Sequence, residues 1–192
     1  MTAELSLKNQ FLLAMPGLAG SYFGDTLTFI CEHNDEGAMG IIVNRPSPVT
    51  VIELMAQLGI DKGRTPIERV VMEGGPVGGE RGFILHGEDD RFDGSLSLGN
   101  GMMLSSAREV LEAIAAGDGP PDYLVALGYA GWDAGQLEGE VAENAWLTCP
   151  TGDGGELARE IVFHTPFEAR VRRAAASLGI DFALISSQAG HA

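Results

Sequence analysis

Two short runs, Ile41-Ile42-Val43 and Leu124-Val125-Ala126-Leu127, are apolar at every position. Successive side chains of a strand point to opposite faces, so a strand with no polar alternation must be covered on both sides. A sheet holding such strands should be buried on both faces around a single core. The expected strands are Phe11–Ala14, Leu27–Cys31, Gly40–Asn44, Arg69–Glu73, Gly82–His86, Tyr123–Leu127, Ala145–Thr148 and Phe182–Ile185.

The helices announce themselves at their starts. Thr50 with Glu53, Ser106 with Glu109, Asp153 with Glu156 and Thr165 with Glu168 each place a short oxygen side chain three residues before a carboxylate. That spacing closes a capping box. The first helix should stop at Gly59, the second at Gly117 and the last, with Pro166 at its first position, near Gly179. Asp133 with Gln136 fits the rule more loosely and suggests a helix to about Asn144. Several strands in succession, followed by mixed helices and strands, do not make a regular βαβ alternation. The fold expected is α+β, a single compact domain over residues 1–192 with a large mixed β-sheet and several short helices.

Charge narrows the partners. The chain carries 27 acidic and 12 basic side chains, a formal net charge of −15. Between Arg108 and Arg159 there are ten carboxylates and no lysine or arginine. A field of this sign repels duplex DNA, which is attracted by cations that displace its counterions. Nor does any segment have the features of a helix-turn-helix with a basic recognition helix. A basic protein partner fits the charge better, and direct nucleic-acid binding is disfavoured. The longest uncharged run, Asn9 to Gly24, contains Pro16, Gly17, Gly20 and Gly24 and is too short to span a bilayer. It also lacks the basic start of a signal peptide. Cys31 and Cys149 are too few for a disulfide framework or a four-thiolate site, and both sit in or beside apolar strands as inert small hydrophobes. The expectation is a soluble, cytoplasmic protein with no membrane partner, no metal and no cofactor.

Three segments could carry chemistry. Glu32 and His33 precede a hairpin turn over Asn34–Gly37, and Asn44 and Arg45 close the next strand. Adjacent strand residues face opposite ways, so Glu32 and His33 should not share one site. Gly74-Gly75-Pro76-Val77-Gly78-Gly79 lacks the Gly-Lys-Ser/Thr of a phosphate loop, and a tight strand-to-strand connection is expected instead. The richest segment runs from Leu127 to Leu147. There a buried strand enters a glycine-spaced turn bearing Tyr129 and Trp132 and leaves into a helix start with Gln136, Glu138 and Asn144 nearby. Free amides at such a start make a binding nook, although Asp133 at the cap would compete for them. The histidines show no metal spacing, Ser105 and Ser106 lack a nucleophile elbow, and Arg170, Arg172 and Arg173 spread around their helix rather than forming a stripe.

The segments Phe11–Gly17, Glu32–Asn34, Glu36–Gly40, Asn44–Pro46, Gly74–Val77, Gly128–Trp132, Gly135–Glu138, Asn144 with Trp146–Leu147, and Gly190–Ala192 together resemble the AlgH/YqgE family of bacteria. The likeness runs in order from about residue 9 to 192. Asp133-Ala134 departs from the family pattern, which more often has a small residue followed by proline. The resemblance implies a single-domain α+β fold with a large mixed sheet. It also brings a transcriptional-regulator label, which derives from a genetic link to alginate production and not from a DNA-binding motif. Three functions follow as expectations: a regulatory or binding module acting through protein contacts, a direct DNA-binding regulator, or a small-ligand binder or enzyme. The last would use Glu32, His33, Asn44, Arg45, Tyr129, Trp132, Gln136, Glu138 and Asn144 once the fold had gathered them near Gly128–Asn144.

Overall fold

The computed structural model describes residues 5–65, 69–88 and 92–187. Ten strands are seen: β1 (Phe11–Ala14), β2 (Leu27–Asn34), β3 (Gly37–Ile42), β4 (Pro46–Thr50), β5 (Val70–Glu73), β6 (Val77–Gly87), β7 (Leu96–Ser97), β8 (Met102–Ser106), β9 (Tyr123–Asp133) and β10 (Trp146–Cys149). Six helices accompany them: α1 (Val51–Gln57), α2 (Ala107–Ala116), α3 (Gln136–Ala142), α4 (Glu156–Arg159), α5 (Arg170–Ser177) and α6 (Phe182–Ser187). A π-helical turn, Glu160–His164, continues α4, and a 3₁₀ turn, Phe167–Ala169, precedes α5.

Eight strands follow one another in the order β10-β1-β2-β3-β9-β6-β8-β7, and β4 and β5 join through β9. All neighbours are antiparallel except β5 and β9, which makes the sheet mixed. The long β9 is the hub. One edge pairs with β6. The other is shared, with β3 along Ala130–Asp133 and β5 at Ala126 and Leu127. At the handover the Ile42 amide donates to Gly74 O and the Gly74 amide to Leu127 O, both at 2.8 Å. The chains cross so closely that a Cβ on Gly74 or Gly75 would run into the backbone of Gly128 or Tyr129. Gly128 itself has φ +75°, a left-handed conformation that glycine adopts without penalty. It kinks β9 without ending it. The glycine-spaced turn expected at Gly128–Trp132 is therefore strand, whereas Gly74–Gly75 does serve as the tight connection from β5 to β6.

The sheet is covered on both sides, as its uninterrupted apolar runs require. Along β9, Leu124 and Ala126 point into one core with Phe11, Leu13, Phe29 and Ile161, under α4 and α5. Tyr123 and Val125 point the other way, against Leu54 and Met55 of α1 and Val110, Leu111 and Ile114 of α2. Further along that second face Ala130 and Trp132 meet Leu12, Ile30, Leu137 and Trp146. Burying a side chain of this size fully contributes about 1.5–3 kcal/mol. A sheet covered on one face alone would lose that from half its positions.

Local signals set the helix ends with mixed success. At Thr50 the capping box is complete: its Oγ1 accepts from Glu53 N and a Glu53 carboxylate oxygen accepts from Thr50 N. Gly117, in the left-handed region, closes α2. Ser106 precedes α2 but bonds no amide through its side chain. Gly155, not Asp153, is the cap of α4. The Thr165 hydroxyl donates back to Glu160 O, so it closes the π turn and does not open α5. The segment expected as a strand at Phe182–Ile185 is helix α6. Four apolar residues are too few for periodicity to separate strand from helix.

Candidate functional site

The hairpin of β2 and β3 and the start of α3 come together at one end of the sheet, because Gly37 pairs with Asp133 and Ala38 with Trp132. His33 thereby reaches Glu138, with Nε2 and Oε1 2.7 Å apart. The Leu7 amide donates to His33 Nδ1 at 2.8 Å. A ring nitrogen that accepts carries no proton, so the hydrogen lies on Nε2 and is donated to the carboxylate. That bond, with one from its own amide, holds the Glu138 carboxyl below the usual carboxylate range, the amide being the larger cause. Both ring nitrogens of His33 are thus committed, and the side chain is buried. Glu32 turns to Lys8, 3.6 Å away, and not to His33.

Next to this pair the two tryptophans share one acceptor. Trp132 Nε1 and Trp146 Nε1 each donate to Glu140 Oε2 at 2.8 Å. Gln136 Nε2 donates to the other oxygen at 3.1 Å, while Gln136 Oε1 accepts from the Asp133 amide. The indoles lie edge to face, 6.0 Å apart, and Phe23 packs against both. Buried indole N–H groups need a partner, and one carboxylate serves both. Asp133 does not cap α3; Gly135 in the left-handed region takes that place. The Asp133 amide is received by Gln136, which is half of the loosely fitting box.

Asn44 and Arg45 lie further along. Asn44 Oδ1 accepts from the Leu27 amide and its Nδ2 donates to Asp25 O, so the two ends of the amide tie down the entry into β2. Arg45 donates to Gly24 O and sits 4.8 Å over the ring of Tyr22. The Tyr22 hydroxyl donates to Glu73 Oε1 at 2.6 Å, and burial, then Glu73, pushes its pKa up to about 12. Tyr129 joins none of these groups; it packs edge to face on Phe83 in the core beneath α4 and α5. Asn144 ends α3 with φ +60°, a conformation asparagine tolerates, and its side chain is exposed.

The fold therefore brings His33 to Glu138 and Trp132 to Gln136, and it keeps Glu32, Tyr129 and Asn144 apart from them. Glu140, Phe23, Tyr22 and Glu73 are the partners that the sequence did not reveal. Glu140 had one signal, since it sits four residues after Gln136 on α3 and so shares its face. The thiols of Cys31 and Cys149 are pushed up to about 12 and about 11 by burial, which suppresses the nucleophilic thiolate. Among the described residues no cluster of three or more His, Cys, Asp or Glu could hold a metal, and no helix is long and apolar enough to cross a membrane.

An α+β domain built on such a kinked hub strand, with a Trp–Glu–Trp clasp beside a His–Glu pair, has close relatives. Residues 11–183 match the family model described as AlgH-like, and the chain belongs to that family. It is 46% identical over 192 residues to a UPF0301 protein of Thioalkalivibrio sulfidiphilus, covering 100% of both chains. It is 48% identical over 190 residues to one of Pseudomonas putida, covering 97% of this chain and 96% of that one. The solution structure of the AlgH protein from Pseudomonas aeruginosa superimposes with a TM-score of 0.79 at 43% identity, covering 100% and 99% of the two chains. Protein DIP2367 from Corynebacterium diphtheriae, at 20% identity and TM-score 0.59 over 76% of each chain, shares the fold. Gly190–Ala192, part of the family resemblance, lies outside the described residues.

Proposed function

We propose that this chain is a non-catalytic regulatory or binding protein that acts through protein contacts, and that a basic partner docks on the acidic end of the sheet. The observation that carries this is a division of labour among carboxylates. Glu138 and Glu140 are committed to His33 and the two indoles. Asp35, Glu36, Asp133 and Glu143 around them are exposed and enter no ion pair among the described residues. The His33–Glu138 bond ties the hairpin to α3 and the clasp ties α3 to β9 and β10, so the four unpaired charges are held on a stiff frame. Preorganised charge of one sign speeds encounter with an oppositely charged partner and suppresses others. The same field opposes nucleic acid.

The test is capture of partners at physiological salt with the native chain and with a D35K/E36K/D133K variant. A partner held by the native chain and lost by the variant supports the reading. Retention by the variant, or by a control reversed at exposed Glu109 alone being lost equally, removes it. A gel shift at low salt is expected to show no DNA binding, and a shift at micromolar protein would contradict the reading.

A further inference from the structure

At the opposite end of β9 from the acidic end, a cleft of about 330 Å³ opens between β5, β9 and the 160–170 segment. Its walls are apolar where Val70, Met72, Phe163 and Phe167 reach it, and cationic where Arg69 and Arg170 do. In a chain of net charge −15 this is a local reversal of sign.

Arg170 is 8% exposed and forms no ion pair among the described residues. Its guanidinium donates to three carbonyls: Thr165 O, Val43 O and Val162 O. A guanidinium has five N–H groups, so two remain undonated. Burial pushes its pKa down to about 10 against the opposing influence of Glu168, whose carboxylate is near but not bonded. A buried cation bonded to carbonyls alone, with its nearest carboxylate unbonded, is costly to keep. Arg69 lies 4.2 Å over the ring of Tyr123 and, among the described residues, makes one hydrogen bond, to Tyr123 O. Four of its N–H groups remain. His164 at the rim is compensated, 3.3 Å from Asp122. The wall carrying Val162, Phe163 and His164 is the π-helical turn, a rare geometry that concentrates at functional sites.

We propose that this cleft binds a small organic carboxylate, its head received by Arg69 and Arg170 and its apolar body lying against Val70, Phe163 and Phe167. Two arginines with spare N–H groups match the two oxygens of a carboxylate. The volume is at the lower end of the ~300–1,000 Å³ of ligand pockets, which suits a body of medium chain length or one aromatic ring. The site is remote from the acidic end and stands or falls independently of it.

Octanoate is the probe, titrated into the full ¹⁵N-labelled chain, with octanol and inorganic phosphate as separate controls. The expected result is a saturable shift of the Val70, Phe163, Phe167 and Arg170 amides with octanoate alone. In Arg69→Gln, whose indole and clasp resonances should stay in place, the affinity should drop about tenfold or more. Four results would each overturn the proposal: no saturable shift at millimolar octanoate, shifts centred elsewhere, octanol binding as tightly as octanoate, or R69Q binding as tightly as the native chain. Phosphate reproducing the shifts at equal concentration would also overturn it, since the apolar body would then be irrelevant. The octanoate and octanol comparison uses the native chain and does not depend on any variant folding.

Discussion

The two ends of the β9 face differ in how their polar groups are used. At the clasp, every ring nitrogen and amide of His33, Trp132, Trp146 and Gln136 has a partner, and all of those partners belong to the chain itself. In the cleft, two arginines hold N–H groups in reserve beside apolar surface. The first is the arrangement of a structural joint, which leaves little for a ligand to gain. The second is the arrangement of a site, which an added acceptor would improve. His33, Trp132, Gln136, Glu138 and Trp146 of the joint lie in segments of the family resemblance, whereas Arg69 and Arg170 of the cleft do not. A conspicuous motif is therefore a poor guide here to where a small molecule would bind.

The comparison can be broken most forcefully at the joint. Trp146 is 4% exposed and touches Phe23, Trp132 and the end of β1. Trp146→Ala is expected to lose about 3–5 kcal/mol of unfolding free energy, the range for truncating a buried large aromatic. Chemical denaturation measures it directly. A loss under 1 kcal/mol would mean that the aromatic cluster is ornamental and that the end is free to serve as a site.

Glu140→Ala comes next, at about 2 kcal/mol, because it strands two indole donors together with the Gln136 amide. Glu140→Gln keeps an oxygen in place and should lose clearly less. Equal losses in the two variants would show that the indoles find water instead and that the carboxylate is not their anchor. Indole fluorescence reports the same event, with a red shift in the alanine variant as water reaches the rings.

Much of this layout could be read ahead of the structure, and the reason is locality. The Thr50–Glu53 box, the Gly117 stop and the strand Phe11–Ala14 depend on residues within a few positions of each other. The uninterrupted apolar run at Leu124–Leu127 carried the burial of both faces, since it needs no partner to be identified. What escaped was non-local. The continuation of β9 through Gly128 depends on where Gly74 and Gly75 cross it. The Pro-containing β4 is held only by β5 at the margin of the sheet. Arg69 and Arg170 come from distant parts of the chain, and neither has a sequence neighbour that suggests the other. The separation of Glu32 from His33 was foreseeable from strand alternation, but the pairing of His33 with Glu138 was not.

A smaller effect sharpens the joint's electrostatics. Glu138 is held below the usual carboxylate range in the folded chain. A carboxyl depressed by folding adds stability that is fully present above its unfolded value of about 4.3 and is lost as pH falls through the folded value. The Glu138 side chain is 34% exposed, so solvent screening limits the pair to roughly 0.2–1 kcal/mol. Stability of the native chain should thus fall more steeply below about pH 4.3 than that of Glu138→Gln. Parallel curves for the two would mean that the His33 contact is not a charge-dependent one.

The change in stability expected at the cleft is also small, and its smallness beside Trp146→Ala and Glu140→Ala is what separates the two regions. Arg69→Gln removes a stacked cation and one hydrogen bond at a half-buried position. That should lower unfolding free energy by less than about 1 kcal/mol. Ligand linkage then magnifies the difference. Octanoate at about 100 times its Kd adds about 2.7 kcal/mol to the native chain, and a variant weakened tenfold gains about 1.4 kcal/mol at the same concentration. Two melting curves per protein, with and without octanoate, distinguish the cases. If Arg69→Gln instead unfolds the chain as severely as Trp146→Ala, then Arg69 is a structural strut like Glu140. The contrast between a saturated joint and an unsaturated cleft would then collapse.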